Sequence, residues 1–463
     1  MMPIAHRRKQ LACYGLLFGA IVALAASGNL AGTTGAQQSR QSPGSPAGAR
    51  GVAAPQYTGP GSCSSTTCHG SVTPRTDNRV WQNEYSIWVV KDKHSRAYSV
   101  LSGPVATRMA AILGLGKAQE AHECLVCHAL YVPTAERAHT FDLSDGVSCE
   151  SCHGPAAAWL GPHTEQGWTH QQSLALGMYD TRDVVKRTEK CLSCHLGNQE
   201  KFVDHEMIAA GHPDLTFELN AFSAVMPRHW KLPIAGSNDP WGEVRDLGVS
   251  QAVQFREDMM RLSQRARGNI WPEYSELDCF ACHHSQTPPE KSWRQARGYP
   301  GRRPGNPPWN DSRYAIFHYL VKQADEESAK ELAMDLGQVS QVMSRLAPDR
   351  QRVAQAADRS ARVSDELARK LAAMPYNQAL TLRLMQQISA DGGNIAAQGE
   401  RTAEQSAMVI QSLFVAYTGN ASLAGEAEIR AAISELFKEF QDPSAYDPGR
   451  FAGRMRRVSA LLH

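Results

Sequence analysis

Apolar and polar positions follow two different patterns along this chain. Toward the C-terminus, Leu332, Leu336, Val339, Met343 and Leu346 recur at the three-to-four-residue spacing of one helix face. Val353, Ala356, Ser360, Val363, Leu367 and Met374 do the same, and Pro348 and Pro375 mark breaks. Positions 407–417 and 426–440 suggest two more helices. Residues 310–463 therefore read as an α-helical bundle or hairpin of four to five helices. Its stripe reads first as core and second as a docking or oligomerisation face. Residues 61–309 show little sustained periodicity and many Gly and Pro, so short helices joined by long loops are expected there. The fold class is mainly α.

The N-terminus has a third pattern. His6-Arg7-Arg8-Lys9 precedes an apolar run from Leu11 to Ala26, which is short for a membrane span of about 20 residues. Thr34-Gly35-Ala36 is a reasonable cleavage site, so residues 1–36 read as a signal peptide, with an uncleaved N-terminal anchor as the alternative. Residues 37–60, rich in Gln, Ser, Gly, Pro and Ala, read as a flexible linker.

Composition narrows the class. The 463 residues are 42% hydrophobic and 20% charged, an ordinary globular balance. A formal net charge of +2 gives no basic excess that would point to nucleic acid. Removing residues 1–36, which hold Arg7, Arg8 and Lys9 and no acid, takes that +2 to −1. Of 11 cysteines, Cys13 belongs to the export segment and the other ten lie between Cys63 and Cys282. Exported cysteines usually form disulfides, but the spacing here points elsewhere.

Four segments read Cys-x-x-Cys-His: Cys124–Cys127–His128, Cys149–Cys152–His153, Cys191–Cys194–His195 and Cys279–Cys282–His283. This is the attachment signature of c-type haem. Two thiols must reach two vinyl groups on one porphyrin edge, and the adjoining His must reach the iron from one face. At the chain's own Cys and His frequencies, chance supplies ~0.01 copies of the motif. Zinc is the competing reading, but it needs four ligands per ion and no Cys–His adjacency. A fifth site, Cys63-Ser-Ser-Thr-Thr-Cys68-His69, has four residues between the cysteines, and its longer loop can bulge and still present both thiols. With it, every cysteine outside the export segment is used, giving five covalent haem c groups. A disulfide between Cys63 and Cys68 is the alternative.

Each iron keeps a sixth position. A second His closes it for electron transfer, whereas an open position admits a small substrate. Ten histidines are neither proximal nor terminal: His94, His122, His139, His163, His170, His205, His212, His229, His284 and His318. His122 lies six residues before His128 and cannot easily reach the far face of the same haem. His318 stands at helical spacing with Tyr314 and Val321, and for His139 and His170 a surface or hydrogen-bonded role is at least as good a reading.

Residues 61–230 resemble the multihaem cytochrome c-552/4 family, the tetrahaem cytochrome c-554 type. The N-terminal haem motif is followed by Trp88 and His94-Ser95-Arg96-Ala97-Tyr98. Gly146-Val147-Ser148-Cys149-Glu150-Ser151-Cys152-His153-Gly154-Pro155 is similar to that family's third motif, with His163 downstream. The resemblance implies that His94 and His163 are distal ligands to neighbouring haems. It suggests His205 and His212 as two more, with His229 a plausible fifth. The long first motif, the motif at 279–283 and the helices beyond it depart from the tetrahaem pattern.

The expected domains are a pentahaem cytochrome c domain over 61–309 and a helical domain over 310–463. The expected function is passage of electrons through five haems in the periplasm, with redox proteins as partners. The alternative is a multihaem oxidoreductase acting on a small nitrogen or sulfur compound at an open iron.

Overall fold

Side chains that cap helix ends divide this chain into many short helices. A computed structural model describes residues 56–231, 239–279, 283, 307–345, 347–442 and 445–463. The expected export segment, most of the linker, Cys282, His284 and Leu346 lie outside the described residues. Among those residues there are helices and isolated bridges but no strand.

The N-terminal helices are α1 (Glu84–Lys91), α2 (Pro104–Leu113), α3 (His122–His128), α4 (Cys149–His153), α5 (His170–Ala175), α6 (Val184–His195), α7 (His205–Ala210) and α8 (Leu219–Val225). Asp183 and Asp204 each accept a backbone N–H of the first turn and start α6 and α7, and Thr169 with Gln172 forms a capping box on α5. Leu101, Ala110, Ala118, Leu125 and Ala129 make up the small separate apolar cluster of this region.

One helix departs from the expected short elements. α9 (Gly242–Arg267) runs for 26 residues, roughly 39 Å at 1.5 Å per residue. It is buried on nearly all sides, so no polar face gives it a helical period to read. Its buried charges find partners instead: Arg261 donates to Asp258 at 2.7 Å, and Arg265 pairs with Glu276.

The C-terminal helices are α10 (Tyr314–Ala324), α11 (Glu326–Met343), α12 (Arg350–Ala373), α13 (Gln378–Ala390), α14 (Gly392–Ala397), α15 (Glu400–Asn420), α16 (Glu426–Leu436) and α17 (Pro448–Leu462). These eight replace the expected four to five. Asp325, Asn377 and Asp447 side chains cap new starts where the apolar spacing alone runs on. The expected stripes are core: Leu332, Leu336, Val339, Met343, Val353, Ala356, Ser360 and Leu367 are buried.

α9 lies along α12 and against α6, and one hydrophobic core joins Leu192 and Leu196 of the α6 region to α9 and the C-terminal helices. Arg256 of α9 bonds Asp365 of α12 at 2.8 Å, and Ser263 bonds Asp358 at 2.5 Å. The motif Cys191–Cys194–His195 is thereby seated on the C-terminal core.

Candidate functional site

The four motifs whose residues are all described are built locally in two ways. Cys124–His128, Cys149–His153 and Cys191–His195 each lie on a helix end, which puts both thiols and the imidazole on adjoining sides of one turn. The long first motif closes by hydrogen bonds: Cys68 and Gly70 N–H donate to Ser65 O at 2.9 Å, and His69 N–H donates to Cys63 O at 3.2 Å. A Cβ at Gly70 would stand 1.8 Å from Ser64 O, so only glycine fits after this His. The bulged loop is therefore closed on itself by backbone bonds that bring the Cys63 and His69 main chains together.

The histidines meet in pairs. His69 faces His163 with ring centroids 6.2 Å apart, His94 faces His195 at 6.2 Å, His128 faces His212 at 6.4 Å, and His205 faces His283 at 6.1 Å. A ligating His nitrogen stands about 2.0 Å from a first-row metal, so two rings on opposite sides of one iron have centres about 6 Å apart. Each pair joins one motif His to one of the residues expected as distal. His229, the fifth expected distal residue, comes near His153 and Asp92, close enough for their charges to interact. Among the described residues, no group of three or more His, Cys, Asp or Glu converges on a common metal position.

Hydrogen bonds on the far nitrogen orient these rings. Nδ1 of His69 bonds Glu84 Oε2 at 2.9 Å, and Nδ1 of His94 bonds Asp92 Oδ1 at 3.0 Å. Backbone carbonyls hold Nδ1 of His128 (Ala97, 2.9 Å), His163 (Trp159, 3.0 Å), His212 (Pro213, 2.8 Å) and His229 (Pro227, 3.3 Å). With Nδ1 tied, Nε2 is the nitrogen left for a metal. His170 is the reverse case: its Nε2 bonds Asp180 at 2.9 Å. His122 packs edge-on against Tyr131, His318 lies against Tyr314 and Tyr319, and His139 is exposed.

Burial and charge set the protonation of these rings. Desolvation pushes His195 and His153 down to about 4, helped by His94 in the first case and His229 in the second, so both are neutral imidazoles at ordinary pH. Desolvation also lowers His212. The hydrogen bonds to Glu84 and Asp92 raise His69 and His94.

Thiols of different motifs adjoin. The Cys63 and Cys149 thiols lie close enough to influence each other's ionisation, as do those of Cys127 and Cys194. The neighbouring Cys127 thiol, with Lys201 Nζ at 3.6 Å, pulls Cys194 below the usual thiol range despite burial. Cys152 lies near enough to Cys191 and Cys194 for their charges to interact.

Several positioning residues carry no motif signal of their own. Glu150, 2% exposed inside the third motif, accepts from Thr58 N–H (2.9 Å), Gly59 N–H (2.7 Å) and Ala156 N–H (2.7 Å), pinning the chain before the first motif onto the third. Gly146 packs its backbone on the His94 carbonyl, where a Cβ would come within 2.9 Å. Val147 N–H donates to the same carbonyl, and its own carbonyl accepts Trp88 Nε1 at 3.1 Å. The third motif thus holds the His94 turn in place.

Residues 63–154, spanning the first three motifs, match the family model described as cytochrome c554 and c-prime. Over this stretch the chain is similar to c-type cytochromes. The match supports covalently bound haem c as the cofactor and electron transfer as the activity class. The motifs at 191–195 and 279–283 and all the C-terminal helices lie outside it. No curated protein and no solved structure matches the chain.

Proposed function

We propose that this protein is an exported electron carrier with five haem c groups, one at each Cys–His motif. The observation that carries the reading is the pairing of histidines at ring separations of 6.1–6.4 Å, each pair joining a motif His to a distant one. The residues fit the group: thiols and one imidazole come from the motif, and the second imidazole comes from His163, His212, His195's partner His94, or His205. His229 serves His153. When bound, the haems supply reversible one-electron storage at iron and tunnelling between adjacent porphyrins. The chain holds His69, His94, His128, His163, His212 and His229 through Nδ1, would offer a second imidazole to each bound haem, and sets motif against motif, as the neighbouring Cys63–Cys149 and Cys127–Cys194 thiols illustrate. Closed positions favour electron transfer over chemistry at iron. Export supplies the compartment in which such haems are attached, and redox proteins are the partners.

Two measurements on the protein matured with its haems test this. Intact mass should exceed that of the bare chain by five haems, and a gain of four with a Cys63–Cys68 disulfide rejects the first site. Electron paramagnetic resonance of the oxidised protein should show five low-spin irons. A high-spin iron that binds carbon monoxide or nitric oxide would move the reading to an oxidoreductase acting on a small nitrogen or sulfur compound.

A further inference from the structure

The C-terminal helices do more than cover the core. A small buried cavity lies beside the His205–His283 pair and is lined by Val203, Ser275, Arg261, Arg313 and Arg401, with Asp214 at its edge. Its tie to that pair is geometric. Val203 lies two residues before His205, and Ser275 follows Tyr274, whose ring meets that of His205 at 5.7 Å. The α15 start also abuts the fifth motif, since a Cβ on Gly399 would stand 3.4 Å from the carboxylate of Asp278, next to Cys279.

The chain leaves part of this guanidinium cluster unmatched. Arg401 pairs through Nε with Asp214 and donates from Nη1 to Ser275 O at 3.0 Å, but its buried Nη2 has no acceptor. Arg313, 7% exposed, donates from Nη2 to Leu215 O at 3.1 Å, while its buried Nε has none. A buried charged donor without an acceptor is costly, and native chains rarely retain one. Asp214 pairs with Arg401, and Asp258 Oδ1 lies 3.7 Å from Arg313 Nη1, yet neither carboxylate reaches these two remaining donors, which call for a further acceptor.

We propose that Arg313 and Arg401 take the propionate carboxylates of the haem attached at Cys279, so that the C-terminal helices clamp the fifth haem. The inference rests on the pentahaem reading above. A carboxylate matches the planar fork of a guanidinium. It also accounts for the second part of the chain, because Arg313 and Arg401 both come from beyond the last motif, Arg401 on α15 and Arg313 just before α10. The fifth haem would then be held from both sides, by thioethers of the motif region and by cations of the helical region.

The test uses the full, haem-loaded protein, with five haems first verified by mass, so that failure of the fifth motif is seen separately. Haem is labelled with 13C at its propionate carboxylates, and reduced-minus-oxidised infrared spectra are recorded for the parent, Arg401→Gln, Arg401→Lys, Arg313→Gln and Asp214→Asn. Arg401→Gln and Arg313→Gln should each shift one labelled carboxylate band. Arg401→Lys, which keeps the charge but not the planar fork, should move the same band by less than Arg401→Gln does, and Asp214→Asn should leave the labelled bands in place. In potentiometric titration, Arg401→Gln should lower one potential and Asp214→Asn should raise the same one. Labelled bands unchanged in both arginine-to-glutamine variants would overturn the proposal. Should those variants fail to load five haems, the Arg401→Lys spectrum decides: a labelled band moved from its parent position supports the contact, and an unmoved one rejects it. A parent spectrum or potential that follows added inorganic phosphate would place a free anion in the cavity and also overturn it.

Discussion

Replacing Asp92 with Asn should raise the potential of one haem, that between His94 and His195, by about 100 mV. Asp92 Oδ1 lies 3.0 Å from His94 Nδ1, and its side chain is 6% exposed. In a ligating imidazole Nδ1 stands about 4 Å from the metal, which places the carboxylate charge about 7 Å from iron. At an effective dielectric of about 20, one charge at that range is worth about 2.4 kcal/mol. For a one-electron couple, where 59 mV is a tenfold change, that is about 100 mV. The sign follows from charge: the carboxylate stabilises ferric over ferrous iron, so removing it favours reduction. Asn keeps an oxygen that can accept from both His94 N–H and Nδ1–H, so the ring stays oriented. The assay is spectropotentiometric titration of parent and variant, with paramagnetic resonance confirming that all irons remain low-spin. A downward shift, or one below the roughly 25 mV expected were the pair screened as in bulk water, would refute the reasoning.

Three other outcomes are expected. Glu150→Gln leaves an amide N–H facing the Gly59 N–H in place of Oε2, which should loosen that contact by about 1–3 kcal/mol; hydrogen exchange at residues 57–61 should accelerate, and unchanged exchange would contradict the role given to Glu150. Burial, followed by Glu404, pushes Glu400 up to about 7 from an unfolded value of 4.5, so the fold is most favoured below that window and loses the contribution as pH rises through it. Glu400→Gln should therefore stabilise at pH 8 and not at pH 4, and denaturation midpoints at the two pH values check this. Removing residues 1–30 should abolish haem incorporation, and a fully loaded cytoplasmic product would contradict export before attachment.

The chemistry was legible in the sequence because haem attachment is a local demand. Two thiols and an imidazole must lie within one turn, so Cys149-Glu-Ser-Cys152-His153 announces itself without any tertiary information, and alternation at helical spacing likewise marked Leu332 to Met343 as core. The partner of each motif His is a different matter. His163 lies 94 positions from His69, and His205 comes before His283, so only the folded path decides that these rings face one another at the span of one iron. The resemblance to the cytochrome c-552/4 family pointed to several of these residues, but their spacing could not. Side chains that act through backbone were silent for the same reason. Glu150 carries no signal of its own in the sequence, yet in the structure it is 2% exposed and bound to N–H groups over 90 positions upstream. α9 was hidden by its own burial, since a helix wrapped on nearly all sides shows no polar face, and its buried charges are satisfied by partners on the helix itself and elsewhere in the chain. What sequence alone determines here is each element whose constraint spans a few residues. Pairing, burial and the approach of Arg313 and Arg401 to the fifth motif are decided by the tertiary fold, because each depends on groups that meet only once the chain has closed upon itself.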